Sequence, residues 1–127
     1  MSKMLNVLYV EDEPDIRAVA EFALEDEDFE LMSCASGQEA LDKAATLSPD
    51  LILLDVMMPD IDGPSTLIKL RELSHLANTP VIFMTAKVQP AEVAQYKALG
   101  ALGVISKPFD PMTLADEIRS LLGSQSA

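Results

Sequence analysis

The segment Leu51-Ile52-Leu53-Leu54-Asp55-Val56-Met57-Met58-Pro59-Asp60-Ile61-Asp62-Gly63 sets four unbroken apolar residues against an acid and a turn rich in Pro, Asp and Gly. An apolar run without polar alternation is the pattern of a strand buried on both faces, the kind found inside a parallel sheet. The flanking sequence has the matching rhythm. Leu5 to Val10 is a first short strand, and Ile16, Val19, Ala20, Ala23 and Leu24 follow it at helical spacing. Phe29 to Cys34 reads as a weaker strand, and Ser36 with Glu39 has the spacing of a capping box opening a second helix. A third helix is predicted from Pro64 to Leu73, with Asp60 and Asp62 as turn and cap residues.

Downstream, Pro80 introduces the strand Val81 to Met84, and Pro90 opens a helix ending at Leu99, where Gly100 acts as the stop. Gly103 to Ile105 forms a fifth strand. Asp110-Pro111 resembles an N-cap and first helical position before Leu114, Ile118, Leu121 and Leu122. Gly123 to Ala127 reads as a flexible tail or a linker stub. Five strands alternating with five helices predict an α/β fold with a parallel sheet covered on both faces.

A chain of 127 residues, 49% hydrophobic and 24% charged, fits one globular domain, residues 1–127, and excludes disorder. Its lone cysteine, Cys34, excludes an internal disulfide and fits a reducing compartment. Neither a membrane span nor a signal peptide is legible, which predicts a soluble, cytoplasmic protein. The net charge of −12 argues against direct nucleic-acid binding. Ten acids and only Arg17 as a base lie between Glu11 and Glu30, the pattern of a solvated helix face. In the same plain reading, Glu13 or Asp15 caps the first helix, His75 is a surface residue with no partner nearby in sequence, and the seven methionines fill the core.

The carboxyl ends of parallel strands share one edge, where ligands bind. Glu11 and Asp12 follow the first strand, Asp55 the third and Thr85 the fourth, and Lys107 lies just past the fifth. Three carboxylates together require a cation or a raised pKa, and oxygen donors without His or Cys favour Mg²⁺. Adding a hydroxyl and an ammonium suits phosphoryl acceptance, with Asp55 as the nucleophile at the end of the most buried strand.

These residues carry a family resemblance. Val10-Glu11-Asp12-Glu13, the Asp55–Gly63 loop, Met84-Thr85-Ala86 and Lys107-Pro108-Phe109 are similar to the four motifs of receiver domains of two-component response regulators. The likeness covers about residues 4 to 122 and is that of a stand-alone, chemotaxis-regulator-like receiver. It implies a three-layer flavodoxin-like (βα)5 fold with strand order 2-1-3-4-5 and a cis Lys107-Pro108 bond. It further implies Mg²⁺ bound by Asp12, Asp55 and the backbone carbonyl of Met57, with Glu11 assisting. Asp55 would take phosphate from a phosphohistidine on a histidine kinase or histidine phosphotransfer protein. Thr85 and Lys107 would be drawn to it, and binding of a downstream effector protein would change; a homodimer is compatible with this scheme.

Two positions depart from the family pattern. Val104 stands where many receivers carry an aromatic residue, so the switch is expected in backbone shifts over Thr85 to Pro90. Met57 and Lys87 flank the path of a hydrolytic water, and the apolar Met57 predicts slow self-dephosphorylation. A Mg²⁺-dependent aspartyl phosphatase would require a second Asp at Met57. A receiver-like interaction module acting without phosphorylation would have no use for an intact Asp55, Thr85 and Lys107. The chain is therefore expected to be a binding module rather than an enzyme.

Overall fold

The computed structural model describes residues 4–25 and 27–125. Five strands, β1 (Leu5–Val10), β2 (Phe29–Cys34), β3 (Leu51–Asp55), β4 (Val81–Thr85) and β5 (Gly103–Ser106), form one parallel sheet in the order β2-β1-β3-β4-β5. Helices α1 (Pro14–Leu24), α2 (Gly37–Ala44), α3 (Gly63–Arg71), α4 (Pro90–Ala98) and α5 (Leu114–Gln125) connect and follow them, with a short 3₁₀ turn at Ser74–Leu76. This is the flavodoxin-like arrangement the sequence predicts. Among the described residues, no helix is long and apolar enough to cross a membrane.

Alternating side chains supply two cores. Val7, Tyr9, Leu53, Met84 and Ile105 face α1 and α5, meeting Ala20, Leu24, Leu114 and Ile118. Leu8, Val10, Ile52, Leu54 and Phe83 face the other way, against Ala40 and Ala44 of α2 and Leu67 and Leu70 of α3. β3 is buried along its whole length. Each of its leucines contributes roughly 1.5–3 kcal/mol of burial. That explains its position at the centre of the sheet and the fixed placement of Asp55 at its end.

Local signals set the helix ends, with some departures from expectation. Ser36 caps α2 by accepting from Glu39 N at 3.1 Å, but the Glu39 carboxylate reaches back to Ala35 N rather than Ser36 N. Asp62 caps α3 through Ser65 N. Asp60 instead accepts from Gly37 N and Gln38 N, capping α2 across the loop. Glu13 occupies the N-cap position of α1 without a side-chain cap. Asp110 accepts from Met112 N in a turn, so regular α5 begins only at Leu114 and then continues through Gly123 to Gln125. Residues 126–127 of the expected tail lie outside the described residues. Gly100, at φ +105°, reverses the chain after α4 where a side chain would be strained.

Of the plain readings, that of the methionines changes, while His75 lies at the surface and Cys34 is without a disulfide, as expected. His75 is exposed, but its Nε2 lies 2.8 Å from the Ala44 carbonyl, joining the 3₁₀ turn to the end of α2. Among the described residues Met4, Met57 and Met112 are exposed, Met32 and Met58 are partly buried and only Met84 is fully buried, so the methionines do not fill the core as a set. Cys34 is buried and free, and burial pushes its thiol up to about 11.

Candidate functional site

Four strand ends converge at one edge of the sheet. Asp12, Asp55, Thr85 and Lys107 line a single hollow of about 320 Å³, with Met57 and Lys87 also on its wall. Glu11 sits fully buried, and its Oε1 lies 2.9 Å from Lys107 Nζ. The same ammonium donates to Asp55 Oδ1 at 3.1 Å, so residues 96 and 52 positions away share one cation.

Backbone contacts fix this geometry. Glu11 N donates to Cys34 O, and Arg17 Nη1 donates to the Glu11 carbonyl at 2.7 Å, holding the β1 end and the start of α1 together. The loop after β3 closes where Gly63 N donates to Val56 O at 2.8 Å. A Cβ on Gly63 would lie 2.5 Å from the Asp55 carbonyl oxygen, so only glycine lets α3 start this close. Lys107 N donates to the Thr85 carbonyl at 2.9 Å, joining the ends of β4 and β5. The Lys107-Pro108 peptide is cis. The Thr85 hydroxyl accepts from Lys87 N at 3.1 Å.

The electrostatics favour an additional cation. One carboxylate oxygen from each of Glu11, Asp12 and Asp55 lies within 4.8 Å of the others. Fully ionised, three carboxylates against the Lys107 ammonium leave the group two charges negative. Burial and the charge of Glu11 push the Asp55 carboxyl up to about 7, although Lys107 pulls it down. At Lys107, burial acts to lower the pKa, but hydrogen bonds to Glu11 and Asp55 outweigh it and the ammonium is held above the ordinary lysine range. An all-oxygen, excess-negative donor set fits a hard divalent ion such as Mg²⁺ and disfavours Zn²⁺ or copper.

All five side chains singled out in the sequence are thus gathered together. Sequence reasoning missed the full burial of Glu11 beneath the pocket and its pairing with Lys107. It also missed the close approach of Gly63 to Asp55, for which the only local signal was a glycine ending the acidic turn.

Comparison with known proteins agrees with this geometry. The response regulator receiver domain family matches residues 7–119. The chain is 38% identical over 128 residues to the response regulator Rre1 of Synechocystis sp., covering 100% of this chain and 55% of that protein. It is 34% identical over 116 residues to the alkaline phosphatase synthesis transcriptional regulatory protein PhoP of Bacillus subtilis, covering 91% of this chain and 48% of that one. The chain therefore spans about half the length of these curated relatives. Among solved structures it is similar to the chemotaxis response regulator CheY4 of Vibrio cholerae, with a TM-score of 0.88 and 34% identity over 94% of this chain and 99% of that one. Receiver domains accept a phosphoryl group in two-component signalling and bind Mg²⁺ at an acidic site. From the family match, the strand order and the converging strand ends together, this chain belongs to the receiver-domain family of response regulators.

Proposed function

We propose that Asp55 is the phosphoryl acceptor of this receiver, taking the group from a phosphohistidine on a histidine kinase or phosphotransfer protein. The observation that carries the proposal is the shared contact of Lys107 Nζ with Asp55 and Glu11 at the floor of a pocket open to solvent. The donor set fits Mg²⁺, which Asp12, Asp55 and the Met57 carbonyl would hold with Glu11 nearby; the ion supplies positive charge to neutralise phosphoryl oxygens.

The protein's own groups account for the remaining chemistry. A carboxylate oxygen of Asp55 forms the new O–P bond as the donor's N–P bond breaks, and the electron pair returns to the imidazole ring. Asp55 attacks only when ionised, so its raised pKa makes the reaction depend on added positive charge near it. Lys107 already touches Asp55 and is placed to stay with the incoming oxygens. Thr85 turns its hydroxyl hydrogen towards one of them. The modified side chain carries about one more negative charge and new acceptor atoms. That change alters the loops after β4 and β5, and with them the binding of a downstream effector.

Incubation with acetyl phosphate and Mg²⁺, read by intact mass, tests the assignment. Wild type is expected to gain one phosphoryl mass and Asp55→Asn none. Equal gain by both, or no gain by either, contradicts it.

A further inference from the structure

Val104 offers no ring to move, yet another aromatic side chain stands beside the pocket. Helix α4 is loosely seated, since none of its nine residues is buried. Its one aromatic residue, Tyr96, is half-buried and packs its ring 5.2 Å from that of Phe83, tilted by 52°. Phe83 lies two residues before Thr85 in β4, so the two share a face of the sheet. Tyr96 also lines a second hollow, of about 570 Å³, together with Asp12, Met57, Met58 and Lys87. Met57, Lys87 and Asp12 line the Asp55 pocket too, so the two hollows share a wall.

A mechanical link runs between them. The Thr85 hydroxyl holds Lys87 N, and residues 86–90 are all exposed and free of core packing. Movement of the Thr85 side chain towards an anion on Asp55 draws the Lys87 backbone with it. Pro90, the first residue of α4, ends that exposed segment, so α4 follows. Among the described residues Tyr96 on Phe83 is the ring contact between α4 and the sheet, so a shift of α4 changes that contact first.

We propose that Tyr96 is the positioning residue that couples occupancy of the Asp55 pocket to the seating of α4, in place of an aromatic side chain at position 104. The inference rests on Asp55 being the phosphoryl site, and its test separates the two. The chain has no Trp and two Tyr, and the buried Tyr9 hydroxyl has no hydrogen-bond partner among the described residues, so Tyr9→Phe leaves Tyr96 as the sole tyrosine emitter. Beryllofluoride with Mg²⁺ serves as the phosphoryl mimic, with ¹⁹F NMR reporting binding independently.

On saturation, Tyr96 emission intensity is expected to change and its quenching by acrylamide to fall. Tyr96→Leu in otherwise wild-type protein should still bind the mimic but lose the ligand-dependent change in amide exchange over residues 91–98. Tyr96→Phe should restore that change. Bound fluoride with unaltered Tyr96 emission and quenching overturns the coupling while leaving the Asp55 assignment intact. An undiminished exchange response in Tyr96→Leu does the same. Absence of a bound fluoride resonance in wild type overturns the Asp55 assignment and this inference with it.

Discussion

Replacing Asp55 by Asn is expected to stabilise the metal-free protein, and by an amount that grows with pH. The substitution keeps the side-chain shape and removes one charge from a buried acidic group. In the folded protein the Asp55 carboxyl is raised from 3.8 to about 7, burial and Glu11 outweighing the help from Lys107. The native state therefore keeps this proton up to about pH 7, while the unfolded chain releases it near 4. Between those limits the native state binds more protons, so stability falls as pH rises.

At about 1.4 kcal/mol per pH unit over which the two states differ in protonation, residue 55 costs the fold on the order of a few kcal/mol at pH 8 and clearly less at pH 5. Asparagine carries no such cost. Groups remote from residue 55, such as the capping Asp60 and the ion-paired Glu39, are common to both proteins and cancel in the difference, whereas Lys107, which touches Asp55, loses one of its two carboxylate partners in the variant. The assay is urea unfolding in EDTA, followed by far-UV circular dichroism at both pH values. Added Mg²⁺ should narrow the gap at pH 8, because the wild type gains more from binding it. An Asn variant no more stable than wild type at pH 8, or a gap independent of pH, would refute the electrostatic reasoning.

Three further outcomes follow from the same geometry. Lys107→Ala leaves Glu11 and Asp55 without their shared ammonium, so metal-free stability at pH 8 should drop by about 3 kcal/mol. The same variant should bind Mg²⁺ more tightly in a calorimetric titration, since a competing cation is gone. Met57→Asn supplies a polar group beside the pocket and should shorten the lifetime of phosphoryl-Asp55, measured by decay of the phosphorylated mass; unchanged or slower decay contradicts the role given to Met57. Gly63→Ala forces a Cβ towards the Asp55 carbonyl and should cost about 1–3 kcal/mol in urea unfolding while slowing phosphoryl uptake from acetyl phosphate.

Much of this was legible in the sequence because its signals are local. Leu51 to Leu54 announces a doubly buried strand, and Ser36 and Asp62 mark helix starts within three residues of the amides they cap. Asp55, Thr85 and Lys107 were legible as a group because parallel strands end on a common edge. What escaped were contacts between segments distant in the chain. Asp60 reads as a turn residue until folding brings α2 beneath it. His75 finds its partner 31 residues away. Glu11 and Asp12 are adjacent acids just past β1, and only the folded structure shows that Glu11 is fully buried against Lys107 while Asp12 lines the pocket. The methionines misled because composition says nothing about which face of an element a residue occupies. Tyr96 gave no signal, since its meaning depends on Phe83 and the second hollow.

The most direct measurement of the central claim is chemical trapping of the modified residue. After treatment with acetyl phosphate, reduction by borohydride converts an acyl phosphate of aspartate to homoserine, which peptide mass spectrometry locates. The account predicts homoserine at position 55, formed only when Mg²⁺ is present. Label on Asp12 or Glu11, or equal labelling of position 55 in EDTA, would contradict it.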